Sequence, residues 1–166
     1  MRFAAAVLIA LAGASARGAA LPDAKPGSAT VIAGENSLLA DGASALREGR
    51  ASDGIRLTLA GLKLAGSTRD TAAAHSNLCA GYVLLHQYDE ALAQCDLSIS
   101  LDPHNWRPYN NRAAAYAACG RYDEALADVM AGLKIAPGSP VLLLSLKIIR
   151  ERLAREHGSG RAAATA

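Results

Sequence analysis

The chain has 166 residues, of which 51% are apolar and 19% charged, enough to build the core of one domain. Only 4% are aromatic, and much of the apolar share is Ala and Leu, which suits closely packed helices better than strands. Setting aside Arg2 and Arg17 of the N-terminal leader described next, 15 of the 17 basic residues remain against 15 acidic ones, so the formal charge of +2 argues for neither nucleic acid nor an acidic surface as partner.

Met1-Arg2 is a short positive start, and Phe3 to Gly13 is an apolar run. Small residues follow, with Ala14-Ser15-Ala16 and Gly18-Ala19-Ala20 as candidate cleavage sites. Residues 1–20 therefore read as a cleavable secretory signal peptide, which implies a periplasmic or secreted protein. The run is shorter than the roughly 20 residues of a membrane-spanning helix. An uncleaved anchor is the alternative. Residues 21–34 read as a linker.

Three units follow in chain order. Residues 35–68 form a degenerate one, recognised because Gly49-Arg50 matches Gly120-Arg121 and Ala60–Gly66 matches Ala131–Pro137. Arg69-Asp70-Thr71 separate it from the next. Residues 72–105 and 106–139 then align without a gap: Asn77 with Asn111, Ala80 with Ala114, Tyr82 with Tyr116, the whole of Tyr88–Ala93 with Tyr122–Ala127, and Pro103 with Pro137. Self-similarity at a fixed period of this length is the signature of a repeat architecture. Each unit predicts two helices. Leu78, Tyr82 and Leu85 share a helical face until His86-Gln87 breaks the run, and Ala91, Cys95 and Ile99 share another until Asp102-Pro103. Ala113, Tyr116 and Ala117, then Ala125, Val129 and Leu133, repeat the scheme around Gly120 and up to Pro137.

At these residues the chain resembles the tetratricopeptide repeat (TPR) family. The family pattern appears as Tyr109, Arg112, Ala113, Tyr116, Ala125, Val129 and Pro137, and upstream as His75, Leu78, Cys79, Tyr82, Ala91, Cys95 and Pro103. Arg112 departs from it, standing where the family has Leu. In the first unit Ala45 replaces Tyr, Gly54 replaces Ala and Gly66 replaces Pro. The resemblance implies an all-α fold: a short right-handed superhelical solenoid of helix-turn-helix repeats.

After the last unit, Ser139 is an N-cap candidate and Pro140 suits a first helical turn. Leu142, Leu146, Ile149 and Leu153 make one apolar stripe, so residues 140–157 read as a helix capping the solenoid. Val141, Leu144 and Ile148 would leave a second strip for a partner subunit. Gly158 and Gly160 are expected to stop the helix, leaving 158–166 as a disordered tail.

No zinc-binding His/Cys spacing, phosphate-binding glycine loop or nucleophile elbow occurs. Asp89-Glu90 and Asp123-Glu124 each open a helix, where carboxylates favour the positive end of the dipole. The reading is a non-catalytic adaptor without a cofactor. By resemblance, a protein or peptide partner binds the concave face formed by the first helices. Candidate contacts are Ser76, Asn77, Leu84, Arg107, Asn110 and Asn111, the Asn side chains pairing with peptide backbone and Arg107 with a carboxylate. Few basic residues accompany them, which favours a shallow apolar groove over a full carboxylate clamp. The alternative is a self-assembling subunit of a cell-envelope complex that associates through its C-terminal helix. Trp106 is expected to pack across the turn between repeats. Cys79, Cys95 and Cys119 are expected as small core residues, although an odd number leaves one over if two of them pair.

Overall fold

The computed structural model describes residues 36–163, with side chains through residue 156. The expected signal peptide, the linker and residues 164–166 lie outside it. Seven helices are seen among the described residues: α1 (Ser37–Arg47), α2 (Ala51–Lys63), α3 (Thr68–Leu84), α4 (Tyr88–Leu101), α5 (Trp106–Ala118), α6 (Tyr122–Ile135) and α7 (Pro140–Ala163). α1/α2, α3/α4 and α5/α6 pack as helix pairs, and α3 and α5 also pack against the second helix of the preceding pair. The first helices touch one another, α1 with α3 and α3 with α5. The result is an all-α helical-repeat solenoid.

The turn inside each pair has one geometry. Gly49 (φ 77°), His86 (φ 60°) and Gly120 (φ 78°) occupy equivalent left-handed positions. The following N–H then reaches back into the first helix: Arg50 to Ala45 O, Gln87 to Tyr82 O and Arg121 to Tyr116 O, each at 2.9 Å. These bonds satisfy carbonyls that the helix end leaves open. His86 holds a position that favours glycine, and its Nδ1 lies 2.8 Å from the Tyr88 hydroxyl.

Where the two helices of a pair cross, side-chain sizes compensate. Val83 and Ala91 share one buried cluster, and Ala117 packs on the next, which contains Ala125. In the first pair the corresponding residues are Leu46 and Gly54. A Cβ on Gly54 would collide with Leu46 Cγ and come within 3.1 Å of the Gly42 carbonyl. The larger Leu46 thus accounts for glycine where the family pattern has Ala. Gly54→Ala is expected to destabilise by about 1–3 kcal/mol in thermal unfolding, the usual effect of overpacking.

Three sequence expectations change. Arg69-Asp70-Thr71 form no spacer: they are the first turn of α3, capped by Ser67, whose Oγ accepts the Asp70 N–H at 3.0 Å. α7 begins as expected at Pro140, with Ser139 Oγ accepting the Leu142 N–H at 3.4 Å. It then continues through Gly158 and Gly160 to Ala163. Glycine costs a helix only about 1 kcal/mol relative to Ala, and Arg161-Ala162-Ala163 are good helix formers. The cysteines do not all act as small core residues. Cys79 and Cys95 are joined as a disulfide between α3 and α4, and Cys119 is exposed. Cys79 and Cys95 stand where Ala113 and Val129 face each other in the next pair. Small residues there bring the Cα atoms to 5.3 Å, within bridging reach.

α7 covers the end of the stack. Leu142 and Ile149 are buried with Ala113, Ala125 and Val129, and Ser145 Oγ donates to Asn110 Oδ1 at 2.7 Å. Leu144 remains 43% exposed, whereas Val141 and Ile148 are half-buried. The second apolar strip is therefore only partly open.

Candidate concave binding pocket

A cavity of about 440 Å³ opens where the starts of α3 and α5 meet α1. Leu39, Ala40 and Ala43 of α1 form an apolar side, with Ala73, Ser76 and Asn77 of α3 beside them. Arg69 stands at the first turn of α3, and Asp102, His104, Asn105, Trp106 and Arg107 complete the rim. The loop before α5 is set by two local bonds. The Asp102 carboxylate accepts the His104 N–H at 3.3 Å, and Asn105 caps α5 by accepting the Arg107 N–H at 3.1 Å.

Arg107 is the most informative member. Its guanidinium carbon lies 5.0 Å from the centroid of the Trp106 ring. Its Nε is buried and has no hydrogen-bond partner. No carboxylate among the described residues forms an ion pair with it. Burial pulls its pKa below the usual guanidinium value, yet arginine stays charged at any physiological pH. A half-buried cation with an unmet donor is a site prepared for an acceptor. Trp106 packs against the cluster containing Ala113 and Leu142, and it also walls the pocket.

The other expected contacts divide. Asn77 is half-buried and lines the pocket, but its Nδ2 donates to Leu39 O at 3.1 Å. Asn111 makes the same bond one unit on, its Nδ2 donating to Ser76 O at 3.3 Å. The two asparagines thus fasten each first helix to the one before it. Asn111 is 1% exposed and Asn110 0%, so neither presents a side chain to an open face. Asn110 instead holds α7 through Ser145. Ser76 is buried at the pocket floor. Leu84 lies elsewhere, at a separate depression with Gly49, Arg50 and Asp53. The physical reason is close approach of the first helices: the aligned residues Ala80 and Ala114 are themselves fully buried, and α1, α3 and α5 touch in sequence. Of the six expected contacts, the pocket keeps Ser76, Asn77 and Arg107. It adds Arg69, which the sequence hid inside what looked like a spacer.

Residues 95–127 match the model of the tetratricopeptide repeat family, from within α4 across α5 into the first turns of α6. No curated protein matches the chain. Among solved structures, the first TPR domain of human RPAP3 is similar at 22% identity, over 74% of this chain and 94% of that one, with a TM-score of 0.64. The first TPR of Spaghetti (RPAP3), bound to the HSP90 peptide SRMEEVD, is similar at 23% identity, over 71% and 94%, with a TM-score of 0.62. A TPR-like protein from Chlorobium tepidum shares 16% identity over 73% and 92%, with a TM-score of 0.63. At these identities the likeness speaks for the fold: three helix pairs and a final helix form a solenoid of the tetratricopeptide-repeat type.

Proposed function

We infer that the protein is an exported, non-catalytic adaptor that holds a peptide segment of a partner protein in the concave pocket, with Arg107 meeting a carboxylate of that segment. The observation that carries this reading is the half-buried Arg107 guanidinium, with no carboxylate paired to it among the described residues, lining a cavity with an apolar α1 side. The acidic HSP90 peptide bound by the similar Spaghetti domain supports a carboxylate ligand. Asn77, held in place by Leu39 O, stands beside Arg107 as a second polar contact.

Export rests on two supports. One is the leader-like layout of residues 1–20. The other is the Cys79–Cys95 bond, since disulfides persist mainly in oxidising compartments. The N-terminus of the protein recovered from a fractionated cell envelope should begin after Ala16 or Ala20. An intact Met1 on all recovered protein would remove the cleavage reading.

The pocket is tested with a fluorescein-labelled peptide ending in Glu-Glu-Val-Asp, as free acid and with its carboxylates amidated. Anisotropy should report binding of the acid form and weaker binding of the amidated form. Arg107→Ala should weaken the acid form by about tenfold or more, as expected for a lost bond to a charged group. Equal binding of both peptides, or no effect of Arg107→Ala, would refute the assignment.

A further inference from the structure

A second cavity, of about 700 Å³, lies away from the concave pocket, along α2. Leu38 of α1, Ile55 and Leu59 of α2, Leu64 just after α2, Tyr82 of α3 and Leu85 just after α3 line it. Leu59, Leu64 and Leu85 are 41%, 69% and 40% exposed, high for clustered leucines. The charged side chains on this cavity are Arg56 and Lys63, and no carboxylate lines it. Seven residues apart, they stand on one side of α2 with roughly 10 Å of helix between them. Asp53 reaches Arg56 at 3.4 Å, but the Arg56 side chain stays 70% exposed.

The geometry points to α4 of a second copy of this chain as the occupant of this groove. α4 has the opposite character. It contains no Lys or Arg, and it exposes Asp89 and Asp96 at the same seven-residue spacing. Leu97 and Leu101 are exposed on the same helix, at 45% and 36%. Laid antiparallel, Arg56 meets Asp96 of the second copy and Lys63 meets its Asp89, with Leu59 and Ala60 of α2 facing Leu92 and Ala93 of α4 between the pairs and Leu97 beyond Asp96. Asp96 already accepts from Arg112 through one oxygen, yet its side chain is 61% exposed. α2 and α4 both flank α3, so one two-fold axis makes the same contact twice and fills both grooves. The final helix has the wrong sign for this role: its exposed Leu143 and Leu144 are followed by Lys147 and Arg150. A strand is also excluded as occupant at α2, whose backbone groups are spent within the helix, so helix-in-groove docking is the mode that fits.

Sedimentation velocity on the full-length protein tests the dimer between about 1 and 100 µM, the range in which a modest interface populates both states. Wild type should dimerise. Leu59→Glu should leave a monomer with an unchanged circular dichroism spectrum. Lys63→Glu and Asp89→Lys should each weaken the dimer about tenfold, and the two together should restore it, because the charges are exchanged across the contact. Arg107→Ala should leave the dimer intact. A wild type that stays monomeric overturns the proposal and leaves the groove to another partner. A dimer indifferent to Leu59→Glu overturns it by placing the contact elsewhere, and so does a charge exchange that fails to restore association.

Discussion

Asp128→Ala is expected to lower stability by about 3 kcal/mol or more, because it strands a buried charge. Asp128 is the carboxylate half of a two-pronged pair: Arg112 Nε donates to Oδ2 at 2.8 Å and Arg112 Nη2 to Oδ1 at 2.7 Å. The Asp128 side chain is 8% exposed and that of Arg112 21%. The hydrogen bond to Asp128 is the main influence raising the Arg112 pKa, against the opposing effect of burial. With Asp128 gone, Arg112 keeps its charge and retains only the exposed Asp96 as an anionic partner, beside the Tyr109 ring. The pair joins α5 to α6 within one unit, and Arg112 also reaches Asp96 of α4 in the unit before, so the loss falls on the helix crossing of the last pair. The structure also predicts which repair works. Arg112 occupies the slot where the repeat pattern has Leu, and Leu78 fills it in the preceding unit. Arg112→Leu with Asp128→Leu should therefore return stability to near the wild-type value, since exchanging both members of a buried ion pair for apolar residues is often neutral or stabilising. Urea unfolding followed by circular dichroism measures both. Asp128→Ala within about 0.5 kcal/mol of wild type would show that the pair behaves as a surface contact.

The helices and turns were legible because each unit repeats the same local rules. Gly120, His86-Gln87 and Pro103 punctuate the sequence where the structure turns, and Ser139-Pro140 starts α7. What the sequence could not supply was the distance between neighbouring first helices. Asn77 and Asn111 look alike in the alignment and make the same bond, yet of the two only Asn77 lines the concave pocket. α3 is closed off by α5 on one side, and α5 by α7, whereas the apolar side of the pocket is the open shoulder of α1. Periodicity identifies a face but not what covers it. Arg112 carried a readable signal, a charge in an apolar slot, which calls for a carboxylate nearby. Asp128 lies one helix on but carries no repeat signal of its own, since it matches Gln94 in the other unit, where the partner is His75 at 2.7 Å. The extra turn at Arg69–Thr71 hides for a related reason. An insertion at a unit boundary looks like a loop in an alignment, although Ser67 can cap a helix there as well as any residue.

The second large effect concerns the Cys79–Cys95 bond, and the next unit supplies its control. Ala113 and Val129 occupy the equivalent places and pack there without a crosslink. Cys79→Ala with Cys95→Val therefore keeps an apolar pair that the fold already uses and removes only the covalent link. The bond closes a loop with a sequence separation of 16. Loss of a crosslink of that span is expected to cost about 3 kcal/mol in the chain-entropy account, for a fall in melting temperature of roughly 10 °C. Thermal scans of the oxidised wild type, the reduced wild type and the double variant distinguish the causes. If the crosslink acts by restricting the unfolded chain, the reduced protein and the variant should melt together, both below the oxidised form. A variant that melts with the oxidised protein would show that the bond contributes nothing beyond packing. Thiol counting on the unfolded, unreduced protein should give one thiol per chain, Cys119, rising to all three after reduction. A solenoid of three helix pairs has few neighbours per unit, and the bond ties the middle one, on which the other two stack. Made in a reducing compartment, the same chain would lose that tie at the unit through which the others are joined.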